Sequence, residues 1–178
     1  MSELKREMPL IDELIDHADL LIKPAHSGVI LLQQADSVGK MPFDLPGFGT
    51  VKVSETTSIL SAIPKQWLVF CGLNEAQKLA NDYANQVADE NIIITDMSDQ
   101  YIILKIAKKH ARALLAKGCE LDLSADVFAL NVCARTLLAH INVVIWRTED
   151  EDFNLLVDVS YAAHLWLWLT GASGEYAV

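Results

Sequence analysis

Residues 66–118 read QWLVFCGLNEAQKLANDYANQVADENIIITDMSDQYIILKIAKKHARALLAKG, and their pattern decides the fold. Trp67-Leu68-Val69-Phe70 is a short apolar run closed by Gly72 and Asn74, the mark of a buried strand. Asn74 is placed to cap a helix over residues 75–88, with Ala76, Leu79, Ala80, Tyr83, Ala84 and Val87 on its inward stripe. Ile92-Ile93-Ile94-Thr95 and residues 101–106 are β-branched strands separated by a turn over residues 96–100, which predicts that the two pair as a hairpin. A second helix is predicted over residues 107–117, with Gly118 at its C-terminal cap. Strand, helix, strand, strand, helix opens a ferredoxin-like split βαβ arrangement. This is an α+β fold whose antiparallel sheet carries helices on one face.

Downstream, residues 137–147 predict a strand, residues 148–152 a charged turn and residues 153–159 the returning strand. Ser160 is expected to cap a last helix over residues 161–170, stopped by Gly171. Trp166 and Trp168 stand about 200° apart around such a helix, so one is expected in the core and the other against a partner. Upstream the signal is irregular. A short amphipathic helix is predicted within residues 8–23, and strands over residues 29–32 and 50–53, among breaks at Pro24, Gly28, Gly39, Pro42, Pro46, Gly47 and Gly49. The expected organisation is an N-terminal arm over residues 1–65 and an α+β domain over residues 66–178.

The 178 residues suffice for one substantial core. With 52% hydrophobic and 21% charged residues and a mean hydropathy of +0.24, part of the apolar surface is expected to meet a partner, or to form weak homodimers when the chain is isolated. The net charge of −10 repels phosphate backbones and anionic lipid, so neither nucleic acid nor membrane is an expected partner. No apolar run reaches the roughly 18 residues of a membrane helix, and the start, Ser2-Glu3-Leu4-Lys5-Arg6-Glu7, is polar. A cytoplasmic protein is expected. Cys71, Cys119 and Cys133 form no C-x-x-C pair and read as buried thiols.

Residues with chemical potential have simpler readings. His164 lies on an Ala- and Leu-rich helix and reads as structural. Glu149-Asp150-Glu151-Asp152 lacks the glycine and alternate spacing of a calcium loop and reads as a solvated hairpin tip. Ser27-Gly28 and Pro46-Gly47-Phe48-Gly49 match no phosphate-binding spacing. No catalytic, cofactor-binding or metal-ligating residue is assigned. The partner-interface candidates are Trp166, Trp168, Phe153 and Arg147.

Several of these segments together resemble the sarcosine oxidase gamma subunit family. They are Leu121-Asp122-Leu123, Phe128, Thr136-Leu137-Leu138-Ala139, Trp146-Arg147, Asp152-Phe153-Asn154-Leu155 and the Trp-rich run from Ala162 to Leu169, preceded by Thr95-Asp96-Met97-Ser98-Asp99 and residues 111–119. The likeness covers roughly residues 66–176. It implies an aminomethyltransferase-like fold, as in the folate-binding aminomethyltransferases of glycine cleavage. It also implies a place in a heterotetramer that demethylates sarcosine, or a related amine such as dimethylglycine, to glycine. Alpha, beta and delta subunits would be the partners, and flavin, NAD and tetrahydrofolate would sit on them. Where those aminomethyltransferases carry Asn-Ala after the first strand, this chain has Cys71-Gly72. Where they carry a Gly-Tyr-Thr-Gly-Glu turn after the strand-closing Arg, it has residues 148–152. A pterin needs close backbone approach at glycines and a carboxylate in a dry pocket, so the resemblance implies a scaffold that has lost its folate site. The alternatives are a folate-binding one-carbon protein and a regulatory module that binds a small acid.

Overall fold

Neighbouring side chains of the run from Ile102 to Ile106 enter different cores: Ile102, Leu104 and Ile106 join one, Ile103 another. A strand buried on both faces belongs to a middle layer. The computed structural model describes residues 10, 12–35, 41–87 and 91–177. Its elements are β1 (Ile15–His17), β2 (Leu20–Ala25), β3 (Gly28–Gln34), β4 (Val51–Val53), β5 (Ser58–Ile63), β6 (Gln66–Cys71), α1 (Ala76–Gln86), β7 (Ile92–Asp96), β8 (Tyr101–Ala107), α2 (Ala111–Ala116), β9 (Cys133–Leu138), β10 (Ile141–Glu149), β11 (Asp152–Asp158) and α3 (Val159–Ser173). They build a six-stranded sheet, β1-β2-β8-β11-β10-β9, and a five-stranded sheet, β4-β5-β6-β3-β7. Every strand pairing is antiparallel.

Three cores separate four layers. Ile30, Leu32, Val69 and Cys71 of the five-stranded sheet bury one face against Ala76 and Ala80 of α1. The same strands turn Val29 and Phe70 the other way, onto Ile103, Val144, Trp146 and Leu156 of the six-stranded sheet. That sheet's outer face, with Leu104, Val143, Ile145 and Leu155, receives Leu114 and Leu115 of α2 and Ala162, Leu165 and Leu169 of α3. The side-chain period of 2 along each strand thus sorts adjacent apolar residues into the two cores that flank it. The α+β fold with antiparallel sheets and helices on one face of each sheet is as the sequence predicts.

Several local expectations give way to pairings that are distant in sequence. The strands over 92–95 and 101–106 do not pair with each other. β7 joins β3 in one sheet while β8 lies between β2 and β11 in the other, so the turn over residues 96–100 carries the chain across the sandwich. That turn is fastened at Ser98, whose hydroxyl donates to Asp96 Oδ1 at 2.5 Å and accepts from the buried Val29 amide at 3.0 Å. No helix forms over the described part of residues 8–23, where β1 and β2 run instead (residues 8, 9 and 11 lie outside the described set). The described part of the first 65 residues is not an arm: β2 and β3 lie inside the two sheets, paired on both edges. The predicted strand over 137–147 is two strands, β9 and β10, joined by Ala139-His140 at φ of 49° and 65°. Asn74 lies in a 3-10 turn without a side-chain cap, Asp158 rather than Ser160 is the acceptor that caps α3, and Gly171 lies within α3. Gly118 matters for space: a Cβ there would lie 2.7 Å from the Trp168 ring.

Candidate functional site

The β10–β11 hairpin ends in the acidic turn, and two arginines brace it. Arg147 is 4% exposed. Its Nε donates to the carbonyls of Glu149 and Asp150, each at 3.1 Å, its Nη1 to the Phe128 carbonyl at 3.0 Å, and its Nη2 pairs with the Asp150 carboxylate. From α2, Arg112 bonds Glu151 Oε1 through Nε at 3.3 Å and Nη2 at 3.1 Å, and donates to the Asp150 carbonyl at 2.8 Å. Lys105 pairs with Asp152 at 2.6 Å. Asp150, Glu151 and Asp152 of the predicted solvated tip are therefore engaged in ion pairs, because β8 and α2 bring cations to them. Arg147 directs its guanidinium to its own chain, and Phe153, 0% exposed, lies under Arg112 with the guanidinium carbon 5.4 Å from its ring centroid. Neither has a side-chain surface to offer a partner, which corrects their reading as interface residues.

Trp166 is likewise an internal residue, 8% exposed and packed in the core beneath α3. Trp168 alone of the four candidates is partly exposed, in a surface hollow that Leu137, His140 and His164 also line. The outward face of α3 carries Tyr161, Ala163, His164 and the 71%-exposed Leu167, with no Lys, Arg, Asp or Glu in the whole helix. All three cysteines are buried and free. Burial pushes the Cys133 thiol up to about 11, and Cys71 is raised by burial, with Glu75 and Asp96 adding to it. Among the described residues no group of His, Cys, Asp and Glu could hold a metal ion. None of their helices is long and apolar enough to cross a membrane.

Between the two sheets the packing opens into clefts at both ends. Near the braced turn a cleft of about 280 Å³ is lined by Val51, Phe70, Trp146, Asn154 and neighbours, with no ionisable side chain. At the opposite end a cleft of about 310 Å³ has walls of different character. The five-stranded sheet contributes Leu31, Ala62 and Leu68; the six-stranded sheet contributes Tyr101, Arg135, Asn142 and Asp158, with Tyr161 of α3 at the rim. Asp158 Oδ1 accepts from the Ser160 amide at 2.8 Å and its hydroxyl at 2.5 Å, capping α3, and these bonds hold its carboxyl below the usual carboxylate range. Tyr101 is raised, first by burial and then by Asp158, against the opposing field of Arg135. The sequence reading singled out none of these residues. The available signal was alternation: Tyr101, Asn142 and Asp158 each stand two residues from an inward apolar side chain, Ile103, Val144 and Leu156.

Comparison with known proteins agrees with this geometry. The sequence profile described as "Sarcosine oxidase, gamma subunit family" matches residues 32–175. The chain is 30% identical over 123 residues to the sarcosine oxidase subunit gamma of Corynebacterium sp. (strain P-1), covering 69% of this chain and 60% of that protein. It is 29% identical over 124 residues to the protein of the same name from Arthrobacter sp, covering 70% of this chain and 60% of that protein. The matched stretch thus spans about three fifths of the length of these relatives. In fold, the chain superposes on a chain of the heterotetrameric sarcosine oxidase from Corynebacterium sp. U-96 in complex with pyrrole 2-carboxylate. The TM-score is 0.82 at 23% identity, covering 95% of this chain and 91% of that one. It also superposes on the glycine cleavage system aminomethyltransferase T from Bartonella henselae, with a TM-score of 0.67 at 14% identity, over 88% of this chain and 47% of that one. With four fifths of its residues inside the family profile and the sandwich of that oxidase chain, this protein belongs to the sarcosine oxidase gamma subunit family.

Proposed function

We propose that this chain is a non-catalytic, structural subunit of a cytoplasmic heterotetrameric sarcosine oxidase, and that it assembles with alpha, beta and delta subunits. Those partners hold the flavin, NAD and tetrahydrofolate and oxidatively demethylate sarcosine to glycine. The observation that carries the reading is Arg147. This arginine lies near the end of β10, before the turn that bears glycines in the related aminomethyltransferases, and here its guanidinium is engaged by three carbonyls and one carboxylate of its own chain. A group so engaged braces a turn, with each of its three nitrogens already donating within its own chain. The lining of the adjacent cleft, which includes no ionisable side chain, supports the same reading. The outer face of α3, with Leu167 and Trp168, is the surface assigned to a partner, being apolar, uncharged and exposed in a chain of net charge −10.

Co-expression with candidate alpha, beta and delta subunits tests this. The expected result is one co-eluting complex whose sarcosine turnover resides in the partners and whose recovery falls when Leu167→Asp is introduced. Elution of the chain alone, turnover by the purified polypeptide, or a melting temperature raised by reduced folate would overturn it.

A further inference from the structure

The cleft beneath Tyr101 is built as a binding site, and nothing in the assembly role accounts for it. Its volume of about 310 Å³ falls in the range of small-ligand pockets. The inward side chain on β5 changes from Leu60, which fills the layer between the sheets, to Ala62, which does not. A slot remains between facing sheets, walled by Leu31, Leu68 and Met97 on one side and by Val144 and Leu156 on the other.

The mouth carries one acidic and one basic side chain. Asp158 is committed to the start of α3 through Ser160, where the positive end of the helix offsets its carboxylate, and its second oxygen faces the Gln100 amide at 3.5 Å. The Arg135 side chain lines the same cleft, where its charge acts on Tyr101, and no hydrogen bond or ion pair joins its guanidinium to a described residue. A guanidinium presents a planar fork of donors that matches a carboxylate. The nearby Asp158 disfavours a multiply charged phosphate. We propose that this cleft binds a small organic monocarboxylate with a flat apolar body, its carboxylate on Arg135 and Asn142 and its body in the slot against Leu31, Leu68 and Met97.

Calorimetric titration of the full chain with 2-naphthoate and with its neutral counterpart 2-naphthamide tests the proposal. Naphthoate is expected to bind at least about tenfold more tightly, the scale of a charge-assisted hydrogen bond. Arg135→Gln, an exposed change on an edge strand, is expected to remove that preference. Ala62→Trp, which fills the slot, is expected to abolish binding of both. No naphthoate binding up to its solubility limit, or a preference that persists in Arg135→Gln, overturns the proposal. So does binding that survives Ala62→Trp in a variant shown to be folded.

Discussion

Phe70 of the five-stranded sheet and Trp146 of the six-stranded sheet stack across the sandwich, ring centroids 5.2 Å apart and planes 16° from parallel. The contact lies in the core between the two sheets, where Trp146 is 4% exposed, so Trp146→Ala is expected to cost about 3–5 kcal/mol, read by urea denaturation. A loss under 1 kcal/mol would mean that the sheets are held together elsewhere.

Arg147→Met keeps the length of the side chain and removes its donors. The Phe128 carbonyl then loses its buried partner and the acidic turn its brace. The expected loss is about 3 kcal/mol, measured as a fall in denaturation midpoint with unchanged slope. A variant as stable as its parent would separate Arg147 from the bracing of the turn.

The two-residue link between β9 and β10 holds Ala139 and His140 at positive φ, where glycine or asparagine is preferred. His140→Gly is therefore expected to stabilise the protein by about 0.5–1 kcal/mol. A lower melting temperature would show that the imidazole makes contacts that outweigh its backbone strain.

Asp158 caps α3, and its folded pKa is depressed, chiefly by the Ser160 hydroxyl. A depressed carboxylate contributes stability above its unfolded value, near 4, and loses that contribution as pH falls through its folded value. Asp158→Ala should cost about 1 kcal/mol at pH 7, and the gap between variant and parent should close as the pH falls below the ordinary aspartate range. Parallel melting curves down the pH scale would reveal a gap that stays open and so contradict the cap.

Cys133 is buried, with its thiol raised to about 11. In native protein at pH 8 it should not react with a disulfide reagent, because almost no thiolate is present. Unfolding in denaturant should expose all three cysteines together. Fast labelling of Cys133 in the folded state would place it at a mobile surface.

Elements whose partners are close in sequence could be read from residues alone. The β10–β11 hairpin, the strand from Gln66 to Cys71 and the helices α1 and α3 emerge from apolar runs, charged turns and helical spacing. Pairings distant in sequence could not. β2 pairs with β8, some 80 residues away, and periodicity carries no record of such a partner. The β9–β10 link escaped because Ala139-His140 is not a turn-forming pair by composition. For the candidate site, Trp168 was legible as a residue set apart from Trp166. Arg147 and Phe153 were conspicuous in sequence for the sake of packing, which sequence does not distinguish from contact with another chain. The cleft at Tyr101, Arg135 and Asn142 required the register of four strands before its residues came together.

The crossing at Asp96–Gln100 has a consequence for how the chain must be made. One sheet draws on residues 15–25, 101–107 and 133–158, the other on residues 28–34, 51–71 and 92–96, so the whole five-stranded sheet is inserted between β2 and β8 of the six-stranded one. A ribosome-bound nascent chain that has emerged only as far as Asp96 holds every strand of the five-stranded sheet but has β2 without β8, its central neighbour. The six-stranded sheet and the core between the two sheets are therefore expected to form late, once β8 and the closing hairpin arrive.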